Sequence, residues 1–169
     1  MLHVRKNCED ILPVFRYDVN EHDPEHIWHL TEITGFFHAA EIAIARELVL
    51  ERLTKGAESG YDFVIAEHYG KLTGYSCYGK IPCTQSSYDL YWIAVHPDFQ
   101  GKGLGRQVLN ESERLIRESG GTRIYVETSQ RLQYSGTRAF YEHCGYRLES
   151  VMADFYAPGD AKATYCKAF

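Results

Sequence analysis

The sequence lacks several features that would place it in a special class of protein. It has no run of eighteen or more apolar residues, the length that a membrane-spanning helix needs. Its first ten residues, MLHVRKNCED, contain no apolar segment followed by a small-residue cleavage site. The five cysteines are an odd number and include no CxxC pair, which argues against a disulfide framework or a zinc knuckle. We therefore expect reduced thiols, a cytoplasmic location and no membrane partner.

Basic residues are also scarce. The chain has 18 Lys and Arg against 23 Asp and Glu, for a net charge of -5, and no basic run. A nucleic-acid partner therefore has little electrostatic support, whereas a cationic acceptor is compatible with the mild acidity. His22, His26 and His29 are not joined by a carboxylate or cysteine pattern that would complete a metal site, so no metal is expected.

What the chain does have is a succession of strand and helix patterns, in the order β, α, α, β, β, β, α, β, α, β, β. Hydrophobic residues make up 44% of 169 residues, and no repeat or linker divides them, so one domain over 1–169 is expected. The patterns predict a mixed α/β (α+β) fold with a mostly antiparallel sheet of about seven strands and one β-α-β crossover. The predicted strands are 12–19, 61–68, 71–80, 88–97, 123–129, 146–156 and 163–169, and the predicted helices are 23–34, 36–56, 103–119 and 135–144.

Several local features of these elements follow from residue type. Asp23 is the expected N-cap of the first helix, and the glycines at 74 and 79 predict an irregular or bulged strand. The apolar run 90–95 predicts a strand buried on both faces. Glu113 and Arg117 are expected to pair on the outer face of helix 103–119.

The segment QGKGLG at 100–105 stands between a predicted strand and a predicted helix, where free backbone amides favour an anion. A P-loop needs GxxxxGK followed by Ser or Thr, but Gly101-Lys102 is followed by Gly103. A dinucleotide fingerprint needs GxGxxG, and here the third glycine comes one residue early. The remaining pattern is Gln or Arg, two residues, Gly, one residue, then Gly or Ala, and it fits completely. That pattern is typical of a loop that holds the pyrophosphate of coenzyme A.

Two segments resemble the GCN5-related N-acetyltransferase (GNAT) family. IAVHPDFQGKGLGRQVL at 93–109 is similar to the central motif of that family, and TRAFYEHCGYR at 137–147 is similar to its later helix. The resemblance implies a GNAT-type fold in which the fourth and fifth strands splay apart and the pantetheine arm of acetyl-coenzyme A enters the gap. The implied coenzyme-binding residues are Ile93, Ala94, Val95, Gln100, Gly101, Lys102, Gly103, Leu104, Gly105, Arg106 and Thr137.

The resemblance also implies an enzyme, an acetyl-CoA-dependent N-acetyltransferase that acts by direct attack of a primary amine. Tyr141 matches the family's general acid, which protonates the departing thiolate. Glu127 and Asp89 are the two candidates for the base. Glu127 is ranked slightly higher, because burying a carboxylate within an apolar strand is costly and therefore suggests a functional role. Many relatives carry Asn and Ala where Tyr134 and Thr137 stand, so Thr137 is expected to supply a hydroxyl to the coenzyme arm instead.

The acceptor stays open: a small amine, an amino acid or a protein N-terminus. Phe36, Phe37, Phe155 and Tyr156 are expected at its entrance, where Glu41 and Asp154 could hold a cation. Cys144 is expected to be a buried, inert thiol. A non-catalytic, coenzyme A-binding regulatory domain of the same fold is the alternative, and a homodimer stays open.

Overall fold

The computed structural model describes residues 13–169, so Cys8 and the start of the strand predicted over 12–19 lie outside the described residues. Eleven helices and strands follow one another along this part of the chain. In order they are β1 (Val14–Arg16), α1 (Asp23–Thr34), α2 (Ala39–Lys55), β2 (Asp62–His68), β3 (Lys71–Lys80), β4 (Ser87–Val95), α3 (Leu104–Glu118), β5 (Arg123–Ser129), α4 (Ser135–His143), β6 (Arg147–Ala157) and β7 (Asp160–Ala168).

The seven strands form one mixed sheet in the order β1-β2-β3-β4-β5-β7-β6. All neighbouring strands are antiparallel except β4 and β5, which are parallel and joined by α3. The predicted fold class and the predicted crossover are therefore confirmed. No helix within residues 13–169 is both long and apolar enough to cross a bilayer.

The sheet carries one hydrophobic core on each face, because side chains alternate along every strand. The first core packs α1 and α2 against β2, β3 and β4, with Ile27, Val49 and Tyr75 fully buried. The second packs α3 and α4 against the other face, with Val108, Ile116 and Ile124 fully buried. A site at the centre of the sheet is thus supported from both sides.

The first two helices differ from the sequence prediction at their starts. Asp23 is not the N-cap of α1; His22 holds that position, and Asp23 is fully buried in an ion pair with Arg16 at 2.8 Å. Burial of the aspartate is tolerated because the guanidinium neutralises it. Helix α2 begins at Ala39 rather than at 36, because the His38 amide donates to Glu41 Oε2 at 2.8 Å and ends the loop there.

Strand β4 contains a bulge at Tyr91. Cys77 of β3 lies opposite Trp92, but the next residue, Tyr78, lies opposite Leu90, so Tyr91 is the extra residue. The bulge reverses the alternation of side chains along the strand. Leu90 packs into the core under α3 and α4, and Trp92 packs into the core under α1 and α2.

Strands β4 and β5 separate just beyond this bulge. Only Ser87–Leu90 pairs with Arg123–Val126, so the predicted splay of the fourth and fifth strands is confirmed. The prediction that the run 90–95 is buried on both faces is wrong: Tyr91 is 39% exposed, and Trp92, Ile93 and Val95 are half-buried. These side chains remain partly accessible to solvent because no strand pairs with this part of β4.

Glu113 also departs from its prediction. Its carboxylate does pair with Arg117, at 3.2 Å, but it is buried rather than on the outer face. Lys167 of β7 donates to both of its oxygens, at 2.8 and 2.7 Å, and to the carbonyl of Cys144. The ion pair between Glu113 and Lys167 links α3 to β7.

Candidate active site

A cleft of about 960 Å³ opens where β4 and β5 separate. Its walls come from both faces of the sheet, with Phe37 and Trp92 from one core and Phe140 and Tyr141 from the other. All the predicted site residues line it except Lys102 and Leu104. A cleft that passes between two strands lets a ligand on one face meet a ligand on the other.

The glycine run lines one end of the cleft. Gly101 and Gly103 have φ angles of 70° and 84°, a left-handed conformation that suits glycine. The first backbone hydrogen bond of α3 runs from the Gln107 amide to the Gly103 carbonyl at 3.1 Å. The amides of Leu104, Gly105 and Arg106 therefore have no partner within the helix and point toward an anion site.

Three residues predicted to bind the coenzyme make contacts within the protein instead of presenting a free charge to the cleft. The Gln100 side-chain amide donates to the Val95 carbonyl at 3.0 Å and holds the loop against the end of β4. Lys102 lies over the Phe99 ring, 5.8 Å from its centroid, and Leu104 is buried in the core. Arg106 lines the cleft and is the cation closest in sequence to the free amides.

The edge of β4 that faces the gap offers backbone groups that no neighbouring strand pairs, although the Val95 carbonyl already accepts one hydrogen bond from Gln100. The His96 amide donates to the Thr73 carbonyl of β3 at 2.8 Å. Because backbone groups alternate in direction along an antiparallel strand, those of Ala94 also point toward β3, whereas those of Ile93 and Val95 point toward the gap. An extended ligand could pair with Ile93 and Val95 as an added strand.

Tyr141 lies on α4, one turn after Thr137, and both line the cleft. The Tyr141 ring packs against the rings of Tyr146 and Tyr165, with centroids 5.6 and 6.4 Å away. Burial raises the pKa of Tyr141 above its ordinary value. The hydroxyl is protonated at neutral pH, as an ordinary tyrosine hydroxyl is, and it lies at the cleft.

The two candidate carboxylates have different surroundings. Glu127 forms an ion pair with Lys162 at 2.8 Å, and its side chain is 48% exposed. Asp89 is half-buried, and among residues 13–169 no donor lies within hydrogen-bond distance of its carboxylate. The pKa of Asp89 is raised mainly by burial and, to a smaller extent, by the negative charge of Glu127. Glu127 was ranked first because a buried carboxylate in an apolar strand suggests a function. That reason does not apply, because the Glu127 side chain is exposed and paired with Lys162.

Three further side chains with a thiol or an imidazole lie outside the cleft lining. Cys144 is buried, and burial raises the pKa of its thiol, which fits the expected inert thiol. The His143 ring contacts the Ala139 carbonyl at 2.6 Å. His68 packs against Tyr69 and Phe99. Within the part of the chain that the structure describes, no group of three or more His, Cys, Asp or Glu side chains could hold a metal ion.

The acceptor entrance agrees in part with its prediction. Phe36, Phe37, Glu41 and Tyr156 line the cleft, but Asp154 and Phe155 do not. Asp154 accepts a hydrogen bond from the Gly159 amide in the β6–β7 turn, and the Phe155 ring packs under Lys162, 3.9 Å from its Nζ.

Among the further lining residues that were not predicted as site residues, six are of particular chemical interest. Each has an aromatic or a charged side chain, and together they come from elements that are distant in sequence. Only Tyr91 and Trp92 carried a sequence signal, since they are adjacent aromatics on a strand that leads into the glycine run. The six are Tyr91, Trp92, Tyr125, Arg131, Tyr134 and Asp160.

Comparison with known proteins agrees with this architecture. A family model described as the acetyltransferase (GNAT) family matches residues 17–146. A crystal structure assigned to the same family, from Desulfovibrio desulfuricans, has a TM-score of 0.91 and 43% identity, covering 92% of this chain and 98% of that one. The chain belongs to the GNAT acetyltransferase family.

Two curated relatives match shorter segments. The N-alpha-acetyltransferase RimI of Mycobacterium tuberculosis is 28% identical over 60% of this chain and 61% of its own length. The L-amino acid N-acyltransferase MnaT of Escherichia coli is 39% identical over 36% of this chain and 35% of its own length. An aminoglycoside 6'-N-acetyltransferase solved with coenzyme A has the same fold, with a TM-score of 0.72 at 17% identity, covering 92% of this chain and 96% of that one.

Proposed function

We propose that this protein is an N-acetyltransferase that moves the acetyl group of acetyl-coenzyme A to a primary amine. The observation that carries the proposal is the cleft between β4 and β5, which brings free helix amides, Tyr141 and Asp89 to one opening in the sheet. The named relatives acylate amines of different sizes, which supports the reaction class without selecting the acceptor.

The residues present fit the coenzyme in two places. The amides of Leu104, Gly105 and Arg106, with the Arg106 guanidinium, suit a pyrophosphate. The gap-facing backbone of Ile93 and Val95 suits an amide-containing arm, because such an arm pairs like a strand. When bound, acetyl-coenzyme A supplies an electrophilic thioester carbonyl and a thiolate leaving group.

Asp89 and Tyr141 then act on opposite sides of the gap. Asp89, directly or through one water, accepts a proton from the ammonium of the acceptor, so that the nitrogen has a free lone pair. A carbon–nitrogen bond forms as the carbon–sulfur bond breaks, and the hydroxyl of Tyr141 gives the sulfur its proton. The second proton that the acylated nitrogen then loses returns through water to the tyrosinate, and Asp89 releases its own proton to solvent. The raised pKa of Asp89 makes its carboxylate a better proton acceptor at neutral pH. Glu127 keeps its charge within the ion pair with Lys162; that charge helps to raise the pKa of Asp89 and to orient the ammonium.

This assignment changes the ranking drawn from the sequence, in which Glu127 stood ahead of Asp89. The contacts favour Asp89, since it is the less exposed carboxylate and has no cation beside it among the described residues. Which of the two is the base stays a prediction.

The proposal is tested by two measurements on the purified protein. Calorimetry with acetyl-coenzyme A measures binding, and thiol release across a panel of primary amines measures transfer. We expect tight binding and amine-dependent thiol release. Binding without release for any amine would favour a non-catalytic coenzyme A-binding domain of the same fold.

A further inference from the structure

The acceptor half of the cleft, on the side of α1 and α2, is both acidic and aromatic. Four carboxylates line it: Glu41, Asp89, Glu127 and Asp160. Three of them, Glu127, Asp160 and Glu41, help to raise the pKa of Tyr156 to about 12, after burial itself. They therefore converge on one ring at the entrance from three different elements.

The cations in this half are already engaged. Lys162 pairs with Glu127 at 2.8 Å, and Arg131 lies 3.9 Å from Asp160, which also accepts a hydrogen bond from Ser129 at 2.5 Å. Among residues 13–169, Glu41 and Asp89 form no ion pair. A positively charged group would thus find two unmatched carboxylates, whereas a carboxylate would find no free cation and would be repelled.

The walls between these carboxylates are aromatic. The rings of Phe37 and Trp92 pack with centroids 4.9 Å apart and interplanar tilt of 58°, and both are half-buried at the cleft. Tyr91, Tyr125 and Tyr156 line the same half. An aromatic wall gives a flat apolar ligand offset or edge-on contacts that a short aliphatic chain does not make.

The entrance is narrowed by a contact between two distant segments. The Tyr134 hydroxyl approaches the Phe36 carbonyl at 3.4 Å, and the two residues are 98 positions apart. This bridge joins the segment before α4 to the loop between α1 and α2, at the residue before Phe37 of the aromatic wall. A compact molecule fits beneath it more readily than a polypeptide that must continue out of the cleft.

We infer that the acceptor is a small aryl-alkyl primary amine that has no carboxylate beside its amino group, an inference that rests on the proposed function. The ammonium lies near Asp89 and Glu41, and the ring lies against Trp92 and Phe37. The same geometry disfavours free amino acids, because their carboxylate would lie close to the unmatched acids.

The first test compares four probes at saturating acetyl-coenzyme A: 2-phenylethylamine, L-phenylalanine, L-phenylalaninamide and n-butylamine. We expect kcat/KM for 2-phenylethylamine to exceed the values for L-phenylalanine and n-butylamine by at least about tenfold. Masking the carboxylate in L-phenylalaninamide should recover a large part of the loss. Faster release with L-phenylalanine, or with a peptide that begins with phenylalanine, would overturn this inference alone; release with no amine would remove the proposed function as well.

The second test uses the two tryptophans of the chain as a matched pair. Trp92→Leu should raise KM for 2-phenylethylamine by about tenfold, because the ring loses its aromatic wall, and leave n-butylamine within about twofold. Trp28→Leu removes the same side chain from α1, outside the cleft lining, and should move neither value. The affinity for acetyl-coenzyme A is measured on both variants as a control for folding, and we expect it to match that of the wild type. An equal loss for both amines in Trp92→Leu would contradict the assignment.

Discussion

Asp89 and Glu127 show how two like residues beside one cleft acquire different properties. They lie on adjacent strands, and Asp89 feels the charge of Glu127. Lys162 engages Glu127 directly at 2.8 Å and reaches Asp89 only as a weaker, more distant charge. Partial burial therefore dominates at Asp89 and raises its pKa, which prepares it to accept a proton.

We predict that Asp89→Asn lowers kcat/KM more than Glu127→Gln does. In the wild type, activity should rise with pH as Asp89 loses its proton, and the raised pKa places this rise above the usual aspartate range. The amide keeps the shape and removes the charge, so the rising limb that belongs to Asp89 should be lost. The pH profiles of both variants on one acceptor provide the measurement; a larger effect of Glu127→Gln would restore the ranking drawn from the sequence.

The same shift has a consequence for stability. A carboxylate with a raised pKa in the folded state binds its proton more tightly there than in the unfolded chain. Its favourable contribution is present below the unfolded pKa and is lost as pH rises through the folded pKa. Asp89→Asn should therefore leave the melting temperature at pH 7 unchanged or higher, a sign that lost activity is not lost folding.

Tyr141 provides a separate prediction at the level of a single hydroxyl. Tyr141→Phe should preserve coenzyme affinity and lower kcat by about 100-fold, since a general acid contributes at least that much. The neighbouring Tyr165, whose hydroxyl donates to Glu142 at 3.1 Å outside the cleft, provides the control. Tyr165→Phe should keep full turnover. Wild-type turnover in Tyr141→Phe, under conditions in which chemistry limits the rate, would reduce Tyr141 to a packing residue.

The element that defines the anion site is the start of α3. Its helix dipole and its free amides point into the cleft, and two glycines in the left-handed conformation bring the chain around to that position. Gly105 is different, because a β-carbon there would meet only ordinary contacts, at 3.6 Å from Phe140 and Val95. The backbone conformation of Gly101 and Gly103, rather than crowding, is what requires glycine in this loop.

We predict that Gly103→Asp weakens acetyl-coenzyme A binding by at least about tenfold, because it places a negative charge beside the pyrophosphate. Gly103→Asn is the matched control, since asparagine has the same size and tolerates the left-handed φ of 84°. Isothermal calorimetry on both variants separates charge from backbone strain. Equal affinity in the two variants would show that charge at this position does not matter.

The bulge in β4 is the second element on which the site depends. It bends the strand away from β5 and exchanges the faces of Leu90 and Trp92. Gly79 supports it from β3: a β-carbon there would lie 2.1 Å from the Gly60 carbonyl oxygen and 3.1 Å from the Tyr91 ring. The irregular strand expected from the glycines is also confirmed in β3 itself: Ala66 lies opposite Gly74 and Glu67 lies opposite Leu72, so Thr73 is an extra residue on β3.

On the scale of the whole molecule, the two halves of the sheet meet weakly at the β4–β5 opening and must be held together elsewhere. The ion pair of Glu113 with Lys167 does this from behind the cleft, because it joins α3 to β7. Both partners are largely withdrawn from water, with side-chain exposures of 3% and 22%.

We predict that Glu113→Gln lowers the free energy of unfolding by about 3 kcal/mol, because Lys167 is left without its charge partner. Glu118→Gln, on the same helix in an exposed pair with Arg114, should cost no more than about 1 kcal/mol. Denaturant unfolding of both variants gives the comparison. Adding Lys167→Met to Glu113→Gln should recover stability; a double variant as unstable as the sum of the single variants would show that the charges are not coupled.

Local patterns along the sequence were enough to predict most of the elements and to group the residues proposed for coenzyme binding. Helix α1 has the predicted bounds, and the glycine run begins α3 as expected, because caps, glycines and hydrophobic period act over a few neighbouring residues. The Gly-rich anion site and Tyr141 belong to single continuous segments, so their residues could be identified without knowledge of the fold.

Only the tertiary structure decided the acceptor side. Whether Asp89 or Glu127 is neutralised depends on Lys162, which comes from the last strand, and the bridge from Tyr134 to Phe36 joins positions 98 residues apart. The burial of Asp23 and Glu113 was also missed, because their cations, Arg16 and Lys167, come from other elements. Side-chain charge, exposure and direction at these positions depend on contacts between distant segments and on one bulge that reverses a strand's alternation, and no local pattern encodes them.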